Sequence, residues 1–111
     1  MSENQSSRVP DFPNAPNNWS IKKASTVAGS HDIVMGPDHW EIVLCLQEYF
    51  SRNENYNRRE LTDALEEFWH PQGGLKALYL LFPGGPIAQG CEIAGIPVPA
   101  GTVDKSFGST S

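Results

Sequence analysis

Cys45 and Cys91 are the only thiols in this chain of 111 residues, and Cys91 is the stronger candidate for chemistry. Only a thiolate attacks an electrophile or carries sulfur, so a working cysteine needs a lowered pKa. Cys91 lies in the segment PIAQGCEIAG, where Pro86 suits the first position of a helix. That makes Cys91 the sixth helical residue, beyond the first turn on which a helix dipole acts strongly. Its neighbour Glu92 opposes ionisation. Two readings stand for Cys91: a sulfur-handling thiol, or a small apolar residue that seats its helix. Cys45 falls within a long amphipathic pattern, one position off its apolar ridge, and reads as core. A Cys45–Cys91 disulfide requires Cα atoms within about 7 Å of each other, which sequence spacing does not supply. His31, His39 and His70 raise the question of zinc. No CxxC or HxxxH pair exists, and these residues fall on separate elements, so neither a metal nor a cofactor is expected. Arg58, Arg59 and Lys76 form a candidate basic patch near Cys91, with solvated helix-end charge as the plainer alternative. No P-loop, dinucleotide fingerprint or nucleophile–base pair is present.

The elements that position these residues read as short helices. Asn17 or Asn18, after Pro16, caps a weak helix over 19–27, and Gly29-Ser30 ends it. The clearest helix covers 37–52. Pro37 opens it, Asp38 and Glu41 suit its first turn, and Trp40, Val43, Leu44, Gln47 and Phe50 form a stripe that Leu46 and Tyr49 widen. Asn57 and Glu60 have the spacing of a capping box and start a helix running to about position 69, with Leu61, Leu65 and Phe68 inward. Pro71 and Gly73-Gly74 break it. A helix over 75–82 carries Leu78, Leu81 and Phe82 on one face. Pro83 stops it, Gly84-Gly85 permit a sharp reversal, and Pro86 opens the helix of Cys91. Gly95 is a natural residue just past that helix. Beyond it, Pro97, Pro99 and Gly101 favour an extended, poorly packed arm. The expected organisation is a flexible lead over 1–11, a helical domain over 12–95, and an arm with an extension over 96–111.

The composition narrows the function classes. A net charge of −5 gives no global attraction to nucleic acid or to an acidic membrane. No window is apolar and long enough to span a bilayer, and the start MSENQSS is not a signal peptide. The expected address is the cytoplasm, and two cysteines make no disulfide framework.

Several motifs now converge. The segment LFPGGP, then Cys91, then IAGIPVPAG resembles the DsrC/TusE family of sulfur-relay proteins. Phe12, Pro16 and Trp19 match that family's F-x-x-x-P-x-x-W pattern, and His39-Trp40-Glu41 its HWE signature. The resemblance runs from Phe12 to Val103. It implies a compact orthogonal bundle of about five short helices, mostly α and similar to helix-turn-helix or winged-helix proteins. It also implies a small N-terminal β-hairpin, which would make the fold α+β; Pro10, Pro13 and Pro16 argue against that hairpin. The family's reactive cysteine sits next to last in a C-terminal arm, and its DsrC branch carries a second, upstream cysteine. By this resemblance Cys91 matches the upstream cysteine, while Thr102, in Gly101-Thr102-Val103, occupies the arm position. A hydroxyl holds no persulfide, so arm–body disulfide cycling and transfer from the arm tip are both closed. The arm between 91 and 102 spans about 36 Å at full stretch and has no sulfur at its end. The family chain normally stops at the position of Val103, whereas this one continues through DKSFGSTS, an added obstacle to entering a deep partner channel.

The resemblance implies a sulfur-relay protein with Cys91 as its only possible sulfur acceptor. Its expected partners are a persulfidated donor of the TusBCD/DsrEFH kind or a sulfite-reductase-like complex, in tRNA thiolation or sulfite metabolism. Arg58, Arg59, Lys76, Gly101, Thr102 and Val103 are the candidate partner-binding residues. The competing reading is a non-catalytic regulator or interaction module of sulfur metabolism. DNA binding through a helix-turn-helix-like body is its less favoured form, because few cations oppose an acidic total. Nothing in the sequence supports an enzyme acting on its own.

Overall fold

The computed structural model describes residues 12–53 and 55–99. Five helices and one 3-10 turn follow in order: α1 (Ile21–Ser30), α2 (Pro37–Arg52), α3 (Arg58–Phe68), the 3-10 turn His70–Gln72, α4 (Gly74–Leu81) and α5 (Pro86–Ala94). No strand occurs among the described residues, so this part is mostly α, as expected. The hairpin implied by the resemblance is absent from residues 12–20, and its remaining positions lie outside the described residues.

The helix of Cys91 is the centre of the molecule. Every residue of α5 except Glu92 is buried, and α1, α2, α3 and α4 all pack against it. A helix apolar on all sides belongs in a core, but its last carbonyls then lose access to water. Each of the last four finds a donor. Gly95 N donates to Cys91 O at 2.9 Å and to Glu92 O at 3.2 Å, and Ile96 N donates to Cys91 O at 3.1 Å. Trp19 Nε1 donates to Ile93 O at 2.8 Å. Gln47 Nε2, fully buried on α2, donates to Ala94 O at 2.9 Å. The backbone bonds form a Schellman ending with Gly95 at φ 79°.

The flanking motifs hold that helix in place. Gly85 N donates to Phe82 O at 2.8 Å, closing the turn between α4 and α5. Gly84 N donates to the Gln89 side chain at 3.0 Å. His39 joins two elements: its Nδ1 accepts from Gly36 N at 3.0 Å, so Nε2 is the donor to Leu81 O at 3.0 Å. The HWE signature is therefore structural here, capping α2 and holding the end of α4. Phe12, Trp19 and Trp40 stack with ring centroids 4.8 and 5.7 Å apart, and this strap carries the Trp19 indole to α5. Asn57 and Glu60 form the expected capping box, with Glu60 N donating to Asn57 Oδ1 at 2.8 Å.

Three expectations change. The first helix begins at Ile21 and is capped by Ser20, whose Oγ accepts from Lys23 N at 3.1 Å. Pro16 to Trp19 form a turn instead, because Trp19 must aim its indole at Ile93. That helix ends at Ser30, within the expected Gly29-Ser30 stop, and Asp32 turns the chain at φ 61°, with Ile33 N donating to Ala28 O at 2.9 Å. Phe68 is 44% exposed, and Trp69, at i+4 from Leu65, takes the inward place. The described part of the arm is not poorly packed: Ile96 and Pro99 are buried, and Tyr56 donates its hydroxyl to Pro97 O at 2.7 Å. The packing of 12–95 thus continues through Pro99.

Gly95 is needed twice, for its left-handed backbone and for its closeness to Trp19. A Cβ there would sit 2.8 Å from Trp19 Cδ1. We predict that Gly95→Ala lowers unfolding stability by more than the about 1–2 kcal/mol of the left-handed backbone alone. Gly90→Ala meets only the Leu46 methyl, at 3.0 Å, and costs less. Urea unfolding of both variants checks the order.

Candidate functional site

Cys91 occupies the third position before the Schellman ending of α5, so the backbone that begins the arm bonds to its own carbonyl. The thiol is 0% exposed, and burial pushes its pKa up from 9.0 to about 12. Desolvation penalises the thiolate, the only form that attacks or carries sulfur. As folded, Cys91 is a protonated core residue.

Two residues link it to the base of the arm. Ile96 is buried in the same apolar cluster as Cys91, at the position that commonly packs back on a Schellman helix. Tyr56, between α2 and α3, lies near enough that a charge on Cys91 opposes ionisation of its phenol. Burial first, and that charge second, raise the Tyr56 pKa to about 12. The Tyr56 ring stands edge-on to Tyr49 and Phe50, at 5.9 and 6.1 Å, and its hydroxyl holds Pro97 O.

The other candidate residues fall apart in space. Cys45 is half-buried on α2 and free, as Cys91 is. Burial, and then the charge of Glu48, raise its pKa to about 11. It lines a groove with Pro13, Leu44, Glu41, Glu48 and Phe68. A separate cleft of about 370 Å³ lies between Trp19, α1 and the end of α5. Cys91 lines neither. His31 Nε2 pairs with Glu92 Oε1 at 2.9 Å, His39 is engaged as described, and the exposed His70 stands 3.7 Å from Glu66. Among the described residues no group of three or more His, Cys, Asp or Glu side chains is placed to hold a metal.

The proposed basic patch divides. Arg58 and Arg59 open α3, next to Tyr56 and the base of the arm. Lys76 lies toward the other end, because Leu75 N donates to Glu66 Oε1 at 2.9 Å. Glu66 is eight residues, about 12 Å of helix, beyond Arg58. Gly101, Thr102 and Val103 lie outside the described residues. Sequence reasoning missed Tyr56 and the packed Ile96, and it placed Gln47 on the inward stripe without its partner. Ile96 had a readable signal, an apolar residue directly after a helix-ending glycine. The bonds made by Tyr56 and Gln47 had none, since their partners are 41 and 47 residues away.

The fold and site together define a helical protein whose one buried thiol sits on a central helix at the root of a C-terminal arm. Residues 8–103 match the family described as "DsrC like protein". Sulfurtransferase TusE from Escherichia coli, Shigella flexneri and Salmonella typhimurium is 35% identical to the chain over 83 residues, covering 73% of the chain and 76% of each relative. The chain belongs to the DsrC-like family. No solved structure matches it significantly. Residues 104–111 lie beyond the family match. No described helix is long and apolar enough to cross a membrane.

The raised Cys91 pKa carries a stability signature. The unfolded thiol loses its proton near pH 9.0, while the native one keeps it to about 12. Above pH 9 the unfolded state thus binds fewer protons, and stability falls with rising pH. The contribution is complete below pH 9 and is lost as pH climbs to about 12. Cys91→Ala should show a shallower decline in unfolding free energy across that window, measured by denaturant titration at each pH.

Proposed function

We propose that the chain acts in sulfur relay with Cys91 as its only sulfur acceptor and without persulfide chemistry at the arm tip. The observation that carries this reading is the place of Cys91, on the helix from which the arm departs. The arm position itself is Thr102, whose hydroxyl accepts no sulfane sulfur. The family match and the name of the relatives, sulfurtransferase TusE, support sulfur as the cargo.

The chemistry balances without an oxidant. A Cys91 thiolate attacks the terminal sulfur of a donor persulfide, and the donor's S–S bond breaks as a new one forms at Cys91. The donor sulfur leaves as a thiolate and takes up the proton that Cys91 released. The donor is a persulfidated protein of the TusBCD/DsrEFH kind, and a sulfite-reductase-like complex is the other partner class. Arg58 and Arg59, beside the arm's base, are the body residues proposed to meet either partner; Gly101, Thr102 and Val103 are the arm residues. Lys76 stands apart from them. The reading places the protein in the cytoplasm.

A second reading, a non-catalytic module that binds relay partners, draws on the complete burial of Cys91. A thiol with a pKa of about 12 does not ionise at neutral pH, so in the closed state the protein binds without reacting. DNA is the weaker partner for such a module, since Arg58 and Arg59 stand against a net charge of −5.

Incubation with a persulfide donor should add the mass of one sulfur atom at Cys91. Absence of that adduct, under conditions that load a family member with an arm cysteine, rejects the acceptor reading. If Cys91→Ser retains full biological activity, the module reading takes its place. A DNA gel shift at low salt then separates protein-binding from DNA-binding forms.

A further inference from the structure

We infer that Tyr56 is the positioning residue that controls access to Cys91, by latching the base of the arm over it, and that a partner exposes the thiol by drawing the arm away. This deepens the acceptor reading and rests on it. An acceptor that is 0% exposed must be uncovered before any donor sulfur reaches it, so some segment has to move. Residues 96–99 are the segment best placed to do so.

Four observations identify them. Ile96 is 4% exposed and shares the cluster of Cys91. Pro99 is buried, whereas Pro97 and Val98 are exposed, so a partner can grip the arm between two seated residues. The segment lies outside α5, and Gly95 provides a left-handed joint at its root. Tyr56 Oη holds Pro97 O at 2.7 Å across 41 residues. Among the described residues it is the one side-chain hydrogen bond that reaches residues 96–99.

The nature of the bond matters. Proline has no N–H, so Pro97 offers its neighbours only a carbonyl. Tyr56 takes that carbonyl, on the residue two places beyond Gly95, whose neighbour Ile96 is bonded to the Cys91 carbonyl. Lifting the arm breaks the Tyr56–Pro97 bond and the bond from Ile96 N to Cys91 O, and withdraws Ile96, while Gly95 N still caps Cys91 O and α5 keeps the side-chain bonds from Trp19 and Gln47. The opening is thus local. It also couples docking to chemistry: the thiol stays protonated and shielded from oxidants until a partner takes hold of the arm.

The test compares thiol labelling by an aromatic disulfide reagent in native wild type and in Tyr56→Phe, with Cys45 as the internal control. Tyr56→Phe keeps the ring and loses the donor. Labelling of Cys91 should accelerate about two- to twelve-fold, the range set by one net hydrogen bond. Cys45 labelling should stay unchanged, and the Cys91 rate should be insensitive to low urea. Tyr56→Ala should accelerate it further. An unchanged Cys91 rate in Tyr56→Phe overturns the latch. So does a rate that rises only in step with lost global stability, which shows as steep urea dependence. Sulfur loading of the same proteins separates the two claims. Faster labelling without loading keeps the latch and removes the acceptor role, whereas loading indifferent to Tyr56 keeps the acceptor and removes the latch.

Discussion

A helix buried on every side must still satisfy the carbonyls at its end, and the structure depends on how α5 does this. Two donors come from the backbone of Gly95 and Ile96, one from the Trp19 indole and one from the Gln47 amide. An unpaired buried carbonyl costs about 1–3 kcal/mol, so each donor constrains the element that carries it. Trp19 fixes the strap over 12–19, in which Phe12 packs tilted on Trp19 and edge-on to Trp40. Gln47 fixes the register of α2 against α5. Gly95 and Ile96 fix the direction in which the chain leaves the helix, and therefore where the arm begins.

The same solution sets the state of the thiol. Cys91 is inside because α5 is the core, and a thiol without water around it keeps its proton. The burial that makes the fold holds Cys91 inert, which is the opposite of what a carrier needs. The proposed acceptor role therefore requires a change in what covers Cys91. Part of that cover is the non-helical stretch 96–99, with two prolines, held by one side-chain hydrogen bond among the described residues.

Most motifs that mark the family in this sequence prove to be packing devices. His39 caps α2 and holds α4, the Phe-Pro-Gly-Gly-Pro break closes a turn against Gln89, and Phe12, Pro16 and Trp19 form the strap. Their presence explains why this chain matches the family along its helical body.

The sequence by itself determined the elements. Proline and glycine placement, capping residues and apolar spacing act within a few residues, so five helices, the Asn57–Glu60 box and the Gly95 ending were all legible. It also determined that no sulfur stands at position 102, a matter of composition. Only the tertiary structure decided which residues meet across long separations. It turned Phe68 outward and Trp69 inward, because helix ends are set by what they pack on. It moved the first helix to Ile21, because Trp19 was required elsewhere, and it parted Lys76 from Arg58 and Arg59 along the length of α3. Above all it decided the condition of Cys91. Spacing placed the residue on a helix, but whether a thiol meets water or oil depends on the four helices that pack around it.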